Sequence, residues 1–311
     1  MLQQPYGACV LQSAAELRAP GAPPPRVRVA CIGPAGAGAC WFHGWGYMLP
    51  SWVEVLPVEL PQRNTRLRER MPVRPEALTH GPRLTRARVA QADLHALVRD
   101  LARDLAPVLC AGVTPYALVG HSFGAWVAYE LARALPTPPI ALYASANRAP
   151  QLAGPSHDPD PEGASLASLA DEAEFWRRFE GRYGRNPDLQ HPAVRRFVLP
   201  LLRADFGCLE ASRGPPAGQA ALSCRLVATG AKGDARYTPQ QLSAWAACTT
   251  GRFTERWEEP PPHAWATPHR FLADAPRPFL AFLEADLAAL LAAAQAAPAE
   301  QAGGARAGAT A

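Results

Sequence analysis

The sequence predicts an α/β fold with a mostly parallel central sheet and helices on both faces. Short apolar runs alternate with helix-like stretches along the chain, which is typical of parallel sheets. A G-x-S-x-G pattern at residues 120–124 lies between a strand-like run and a helix-like stretch. A helical block at about residues 150–220 interrupts the alternation. We expect this block to be a lid inserted over the carboxyl edge of the sheet, where the pattern opens.

The individual elements follow from apolar patterning. We predict strands at residues 27–32, 53–58, 116–119, 140–144, 224–228 and 252–257. We predict helices at residues 89–109, 125–131, 166–182, 192–212, 239–247 and 279–296. The domain is expected to span residues 26–296, after a loose leader at 1–25 and before a disordered Ala/Gly tail at 297–311.

Composition excludes several functional classes. The chain has 311 residues, 48% of them hydrophobic, and a net charge of +4 carried mainly by arginine. No basic motif with interleaved aromatics is present, so nucleic-acid binding is not expected. No apolar stretch reads as a membrane span, because the Ala-rich segment 279–296 carries Glu284 and Asp286 and predicts a surface helix.

The cysteine pattern bears on location and on metal binding. Seven scattered cysteines form no C-x-x-C pair, so neither a disulfide framework nor a zinc site is predicted. A reducing compartment is favoured, and we expect a cytoplasmic protein. The alternative is an organelle stroma or matrix, if residues 1–25 act as a transit segment.

Ser122 is the candidate nucleophile. Its flanking glycines suit the tight strand-to-helix turn of a nucleophile elbow. The following helix would direct backbone N–H groups at a developing oxyanion. The competing interpretation of Ser122 is a turn serine or a helix N-cap.

A base and an acid should follow Ser122 in the chain order of the α/β-hydrolase fold. Asp234 follows an apolar strand and is the predicted acid, although a simple turn aspartate is the alternative. His263, in a proline-rich loop after the last strand, is the predicted base. His269 is the weaker candidate, because a solvated or capping role is expected near the last helix. His121 is expected to support the elbow rather than to act as the base.

The oxyanion hole is predicted in the small-residue loop 33–39. Pro34 has no N–H, so the backbone N–H of Ala35 is the expected donor, together with that of Phe123. A phosphate cradle is the competing interpretation of the loop. It is disfavoured because the lysine of the phosphate-binding pattern is missing.

With these residues placed, the chain resembles the type II thioesterases of polyketide and nonribosomal peptide synthesis. Medium-chain fatty-acyl thioesterases of fatty acid biosynthesis belong to the same group. The resemblance is carried by the segments 31–39, 60–64, 120–125 and 202–206, by Asp234 and by His263. It implies hydrolysis of acyl thioesters on phosphopantetheine, held by an acyl carrier protein or CoA, through an acyl-serine intermediate. It implies no cofactor and no metal.

The resemblance also suggests roles for the lid and for basic residues. Lid apolar residues are expected to line an acyl channel or to pack the helices: Phe175, Trp176, Phe179, Phe197 and Leu201. Arginines at positions 63–74 and in the lid are expected either to receive an acidic carrier protein or to form an ordinary solvated face. Three alternative functions remain: a carboxylesterase, an acyltransferase, and a catalytically weak carrier-binding module, the last suggested by Pro34 and Pro262.

Overall fold

The protein is built on a six-stranded, wholly parallel sheet with the order β2-β1-β3-β4-β5-β6. The computed structural model describes residues 9–10, 23–72, 92–160, 165–216, 218–261 and 267–296. The strands are β1 Val27–Ile32, β2 Val53–Pro57, β3 Tyr116–His121, β4 Ala141–Ser145, β5 Arg225–Ala231 and β6 Phe253–Glu258. All six predicted strands are confirmed, and so is the fold class.

Helices cover the sheet and build the lid. They are α1 Trp45–Met48, α2 Leu94–Leu109, α3 Phe123–Ala134, α4 Glu172–Tyr183, α5 Pro192–Ala211, α6 Pro239–Ser243, α7 Phe271–Asp274 and α8 Arg277–Ala296. Side-chain caps explain several starts: Asp93 accepts the N–H of His95 before α2, and Asp171 accepts two N–H groups at the start of α4. Of the helix predicted at 89–109, residues 89–91 lie outside the described residues, and α2 begins directly after the Asp93 cap.

The central strands of the sheet are fully buried. Every residue of β3, β4 and β5 is buried, as expected for parallel strands covered on both faces. Helix α3 packs along β3 and β4, and every residue from Phe123 to Tyr129 is buried. The turn between β3 and α3, which carries the candidate nucleophile, is therefore supported by buried elements on both sides.

Two helices, α4 and α5, lie between β4 and β5 in the chain and have a hydrophobic cluster of their own. Its buried members are Leu166, Phe175, Trp176, Leu199, Leu202 and Phe206. Ala35, from the loop after β1, packs against both this cluster and the main core. The lid helices are thus coupled by packing to the edge of the sheet where the candidate site lies.

The two ends of the chain are described in part. Val10 forms an antiparallel bridge with Val58, and Cys9 and Val10 are buried, so the expectation of a loose leader fails for these two residues. The predicted disordered tail at 297–311 lies outside the described residues.

Helix α8 differs from what composition suggested. By length and apolar composition alone α8 is a candidate membrane span, so composition does not rule one out, and the expected absence of a span stays a prediction. In the structure one face of α8 packs on the core through Phe279, Leu283 and Leu287. Its Asp286 accepts hydrogen bonds from Tyr143 and Arg225. The acid therefore binds the sheet and does not mark a solvated face.

Candidate active site

Ser122 occupies a strained turn between β3 and α3. Its backbone has φ 54° and ψ −117°, a region that residues other than glycine rarely adopt. Its N–H donates to the carbonyl of Ser145 at 2.7 Å, and the side-chain amide of Asn147 donates to its carbonyl at 2.9 Å. These bonds hold the turn in a conformation that projects the hydroxyl away from the sheet, as a nucleophile elbow requires.

Close backbone contacts explain why glycine occupies positions 120 and 124. A Cβ on Gly120 would lie 2.1 Å from the carbonyl oxygen of Gly124, and a Cβ on Gly124 would lie 2.1 Å from that of Ile32. Both separations are far shorter than any ordinary contact. Glycine at position 124 therefore lets the start of α3 touch the end of β1, where the small-residue loop begins.

His269 and Asp234 complete a hydrogen-bonded chain with the serine. The Nε2 atom of His269 lies 2.9 Å from Ser122 Oγ, and its Nδ1 lies 2.8 Å from Asp234 Oδ2. Because a carboxylate only accepts hydrogen bonds, Nδ1 carries the proton, and Nε2 is left to accept the serine proton. This is the geometry of a general base directed at a hydroxyl.

The prediction of His263 in this position is wrong, because His269 fills it. His263 itself lies outside the described residues. His269 belongs to a short 3-10 helix, Pro268–Arg270, that leads directly into α7. The sequence held a signal for this: Phe271 and Leu272, which follow His269 closely, are apolar and both are buried, so the segment that carries His269 packs into the core.

The predicted acid, Asp234, lies where the sequence placed it, in the loop after β5. Burial acts to raise the pKa of its carboxyl group, but the adjacent His269 and the N–H of Arg236 outweigh that effect, and the pKa is lowered. The Arg236 N–H donates to Oδ1 at 3.0 Å. The carboxylate is therefore ionised at neutral pH and oriented on the imidazole.

His121 supports the histidine backbone. It is fully buried; its Nε2 lies 2.8 Å from the carbonyl oxygen of His269, and its Nδ1 lies 3.0 Å from Ser145 Oγ. Burial, reinforced by the nearby His269, lowers the pKa of His121 to about 3. The ring is therefore neutral, with its proton on Nε2. As expected, His121 supports the elbow and does not contact the serine hydroxyl as a base.

The loop after β1 carries the predicted oxyanion donor Ala35. Phe123, the other predicted donor, is the first residue of α3, where an N–H group has no partner within the helix. The neighbouring loop amides are engaged elsewhere: Gly36 N–H donates to Asp205 Oδ2 at 2.7 Å, and Ala37 N–H donates to Pro34 O at 3.1 Å. Ala35 therefore lies between Pro34 and Gly36, and hydrogen bonds hold the backbone of both neighbours.

A buried ion pair holds this loop. Arg63 Nη2 donates to Asp205 Oδ2, and the two side chains are 2% and 0% exposed. Arg63 also donates to the carbonyls of Ala37 and Pro61 at 2.9 and 2.7 Å. Because Asp205 belongs to lid helix α5, the lid and the oxyanion loop are joined through one carboxylate. Neither partner is a surface charge, so Arg63 is not part of a carrier-docking face; Arg66, at 4% exposed, is buried as well.

A cavity of about 200 Å³ opens beside Ser122 and His269. Its apolar wall comes from Trp126, Tyr183, Phe206 and Leu209. None of the five lid residues predicted to line an acyl channel contributes to this wall. Phe175, Trp176 and Leu201 are buried in helix packing, Phe179 packs against the lid cluster, and Phe197 is 54% exposed. Side chains one or two helical turns away line the cavity instead, because the inner face of the lid is turned toward the serine.

Comparison with known proteins identifies the family. The sequence model of the Thioesterase domain matches residues 27–259, which include Ser122 and Asp234 and end before His269. The chain belongs to the thioesterase family. This thioesterase is 31% identical over 245 residues to thioesterase PikA5 of Streptomyces venezuelae, covering 76% of this chain and 74% of that protein. It is 28% identical to the gramicidin S biosynthesis protein GrsT of Aneurinibacillus migulanus, with 74% and 79% covered.

Solved structures agree with this assignment. The RedJ thioesterase of the prodiginine biosynthetic pathway in Streptomyces coelicolor superposes with a TM-score of 0.67 at 29% identity, covering 86% of this chain and 95% of that one. The type II thioesterase BorB from the borrelidin cluster gives a TM-score of 0.63 at 25% identity, with 89% and 94% covered. The resemblance to type II thioesterases expected from the motifs is therefore confirmed, as is the assignment as an enzyme acting on thioesters.

Proposed function

We propose that this thioesterase hydrolyses acyl groups carried on phosphopantetheine through an acyl-serine intermediate. The observation that carries the proposal is the hydrogen-bonded chain from Ser122 through His269 to Asp234, with both bonds shorter than 3 Å. A serine hydroxyl is a weak nucleophile at neutral pH and needs an adjacent base held by a third group. Ser122 and His269 line the cavity, and Asp234 binds the far side of the imidazole ring.

In the acylation step, Ser122 Oγ attacks the thioester carbonyl while His269 Nε2 accepts the serine proton. Asp234 stabilises the imidazolium that forms. The backbone N–H groups of Phe123 and Ala35 receive the negative charge that develops on the carbonyl oxygen. Such donors each lower the barrier by about 3 kcal/mol. His269 then gives the proton to the leaving sulfur, and the thiol departs.

In the deacylation step, the same residues act on water. His269 takes a proton from a water molecule, which attacks the acyl ester of Ser122. The second tetrahedral intermediate uses the same two backbone donors. Its collapse returns the proton to Ser122 Oγ and releases a carboxylic acid. No group beyond the chain's own residues is needed for either step.

The biological setting is proposed from the relatives. The similar proteins include one from gramicidin S biosynthesis and a structure from the borrelidin biosynthetic cluster. We infer that this enzyme removes acyl groups from carrier domains of a polyketide or nonribosomal peptide pathway, with an acyl carrier protein as its partner. The cytoplasmic location expected from the cysteine pattern stays a prediction.

The decisive experiment compares two histidines. His269→Ala should lower kcat on an acyl-carrier thioester by about 10⁴-fold or more, as loss of a catalytic base does. His263→Ala should keep kcat within about threefold, and thermal unfolding should show that both variants are folded. Equal losses in the two variants, or activity retained in His269→Ala, would contradict the assignment.

Two further measurements separate the alternative functions. Acyl-carrier thioester, acyl-CoA and p-nitrophenyl ester should be hydrolysed in that order of kcat/KM if thioesters on carriers are the substrates. A higher kcat/KM for the ester would indicate a carboxylesterase, and product appearing only with an added acceptor would indicate an acyltransferase. A fluorophosphonate probe should label the wild type and not Ser122→Ala; absence of labelling in the wild type would indicate a silent binding module.

A further inference from the structure

The wall of the cavity beside Ser122 is more charged than a pocket for a plain hydrocarbon chain requires. Ligand pockets are mostly apolar, with a few polar groups that set specificity. Here six acidic or basic side chains line the wall besides His269: Arg148, Arg182, Arg236, Asp158, Asp160 and Glu210. Which of these charges is left for a ligand depends on how they are paired.

Two of the three arginines are engaged by carboxylates. Arg236 Nη2 donates to both oxygens of Asp158, at 3.0 and 3.2 Å. Arg182 Nε donates to Asp160 Oδ2 at 3.1 Å. The third acid, Glu210, is bound by the Ser165 hydroxyl and by the N–H groups of residues 166 and 167. These groups build the wall by satisfying one another.

Arg148 is held differently. Its Nε and Nη2 donate to the carbonyls of Leu152 and Gly154, at 2.9 and 3.4 Å, and its guanidinium lies 5.6 Å from the ring centre of Trp126. The nearest carboxylate oxygen, on Asp158, is 3.9 Å from Nη1, beyond hydrogen-bond distance. The guanidinium is thus held by two backbone carbonyls and lies at ion-pair distance from Asp158, which Arg236 also binds. Its Nη1 makes no hydrogen bond to any residue that the structure describes, and the side chain lines the cavity.

The electrostatic surroundings of Arg148 favour an anion. Burial lowers the pKa of the guanidinium; Asp158 opposes this, but Arg236 and Arg182 add to it, and the pKa is lowered overall. A group in this situation gains stability when a negative charge comes close. Since Arg148 is 12% exposed, an anion in the cavity would meet it largely shielded from water.

Size and position indicate which part of the substrate would bring that anion. A cavity of 150 Å³ holds a guest the size of benzene, so about 200 Å³ accepts a short acyl chain but not a phosphopantetheine arm. Ser145, whose carbonyl accepts the N–H of Ser122, is three residues before Arg148. Three residues span at most about 10 Å. Arg148 is therefore within reach of the far end of a short acyl group on Ser122.

We propose that Arg148 is an anion subsite of the acyl cavity, and that the preferred substrates are half-thioesters of short dicarboxylic acids. The distal carboxylate would accept hydrogen bonds from Nη1 of Arg148 while the thioester carbon lies at Ser122. The proposal rests on the proposed function, because it assumes that the cavity receives the acyl group. It adds the chemical class of that group.

The test uses the N-acetylcysteamine thioesters of glutaric and hexanoic acid, which have similar chain lengths and differ in the distal carboxylate. The wild type should show kcat/KM at least ten-fold higher for the glutaryl thioester. Arg148→Met, which keeps the length of the side chain, should abolish that preference, so that kcat/KM for the glutaryl and hexanoyl thioesters agree within about threefold. Arg177→Met is the matched control, because Arg177 lies on the exposed face of α4, pairs with Glu174 and does not line the cavity. It should keep the wild-type ratio.

Three results would overturn the subsite. They are a wild-type ratio at or below one, an unchanged ratio in a folded Arg148→Met variant, and equal preference for the neutral 3-hydroxyhexanoyl thioester. A dependence on Arg148 seen only with phosphopantetheine thioesters would also overturn it, since the anion would then be the phosphate. Calorimetric binding of both thioesters to Ser122→Ala separates this proposal from the proposed function. Tighter glutaryl binding without wild-type turnover would support the subsite and contradict the hydrolase.

Discussion

Two arginine–aspartate pairs flank Ser122, and they differ in what surrounds them. On the oxyanion side, Arg63 and Asp205 are 2% and 0% exposed, and the remaining arginine donors bind backbone carbonyls. On the cavity side, Arg236 and Asp158 are 9% and 20% exposed and line the space beside the serine. The two pairs have the same chemistry but different surroundings. The Arg63–Asp205 pair is enclosed by protein, and the Arg236–Asp158 pair borders a cavity.

The difference teaches how this site divides rigidity and recognition. A buried pair depends on its partner, because an uncompensated charge in the interior is strongly destabilising. The Arg63–Asp205 pair therefore fixes the loop that carries Ala35 with little tolerance for change. The Arg236–Asp158 pair borders a cavity that water can enter once a partner is removed, so losing one partner should cost less than in the enclosed pair. The side chains around the Arg236–Asp158 pair therefore border the space that receives the substrate.

The largest effect should come from breaking the enclosed pair. Asp205→Ala leaves the Arg63 charge buried and the Gly36 N–H without its acceptor, so the free energy of unfolding should fall by about 3–5 kcal/mol. Asp158→Ala, at the cavity wall, should lower it by less than Asp205→Ala does, because water entering the cavity can solvate Arg236. Urea unfolding of both variants measures the contrast, and equal losses would break the comparison.

A double substitution tells stability apart from loop positioning. Arg63→Met combined with Asp205→Leu removes both charges, so much of the lost stability should return, as it does when apolar residues replace buried ion pairs. The Gly36 N–H would still lack an acceptor. We therefore expect kcat to remain low while the unfolding midpoint recovers; recovery of both would show that the pair does not position the loop.

A second, smaller effect tests the contact between α3 and the oxyanion loop. Gly124→Ala places a methyl group 2.1 Å from the carbonyl oxygen of Ile32, so α3 must shift away from β1. We expect a loss of about 1–3 kcal/mol in the free energy of unfolding, together with lower kcat. Gly181→Ala on lid helix α4 meets no atom within 4 Å and should stabilise the fold by up to about 1 kcal/mol. Thermal unfolding and steady-state kinetics of the two variants check this.

The effect that is smallest near neutral pH, and that grows only as the solution becomes acidic, concerns His121. The pKa of His121 falls from its ordinary 6.5 to about 3 in the folded protein, so the unfolded chain binds this proton at a higher pH. The free energy of unfolding should therefore fall as pH drops from 6.5 towards 3, by at most about 1.4 kcal/mol per pH unit from this group. His121→Gln, which cannot take up the proton, should flatten the pH dependence of urea unfolding. An unchanged slope would contradict the neutral, buried state of His121.

The sequence predicted the sheet, the nucleophile position and the acid position because each depends on local patterning. Apolar runs of strand length and the glycines around Ser122 reflect constraints that act within a few residues. The base was misassigned, because two histidines follow the last strand and the choice depends on which segment returns to the core. The channel residues were misassigned for a similar reason, since helical periodicity does not tell which face of the lid turns toward the serine.

The sequence by itself determined where the strands lie along the chain, the sharp turn at residues 120–124 and the resemblance to the thioesterase family. These features depend on steric limits and hydrophobic periodicity, which act along the chain. Only the tertiary structure decided that the imidazole of His269 is hydrogen-bonded to Ser122 and that Asp205 of the lid accepts the N–H of Gly36. It also decided that Arg148 lines the cavity beside Ser122. Each of these contacts joins residues far apart in the chain, and only the packed fold sets the distances between them.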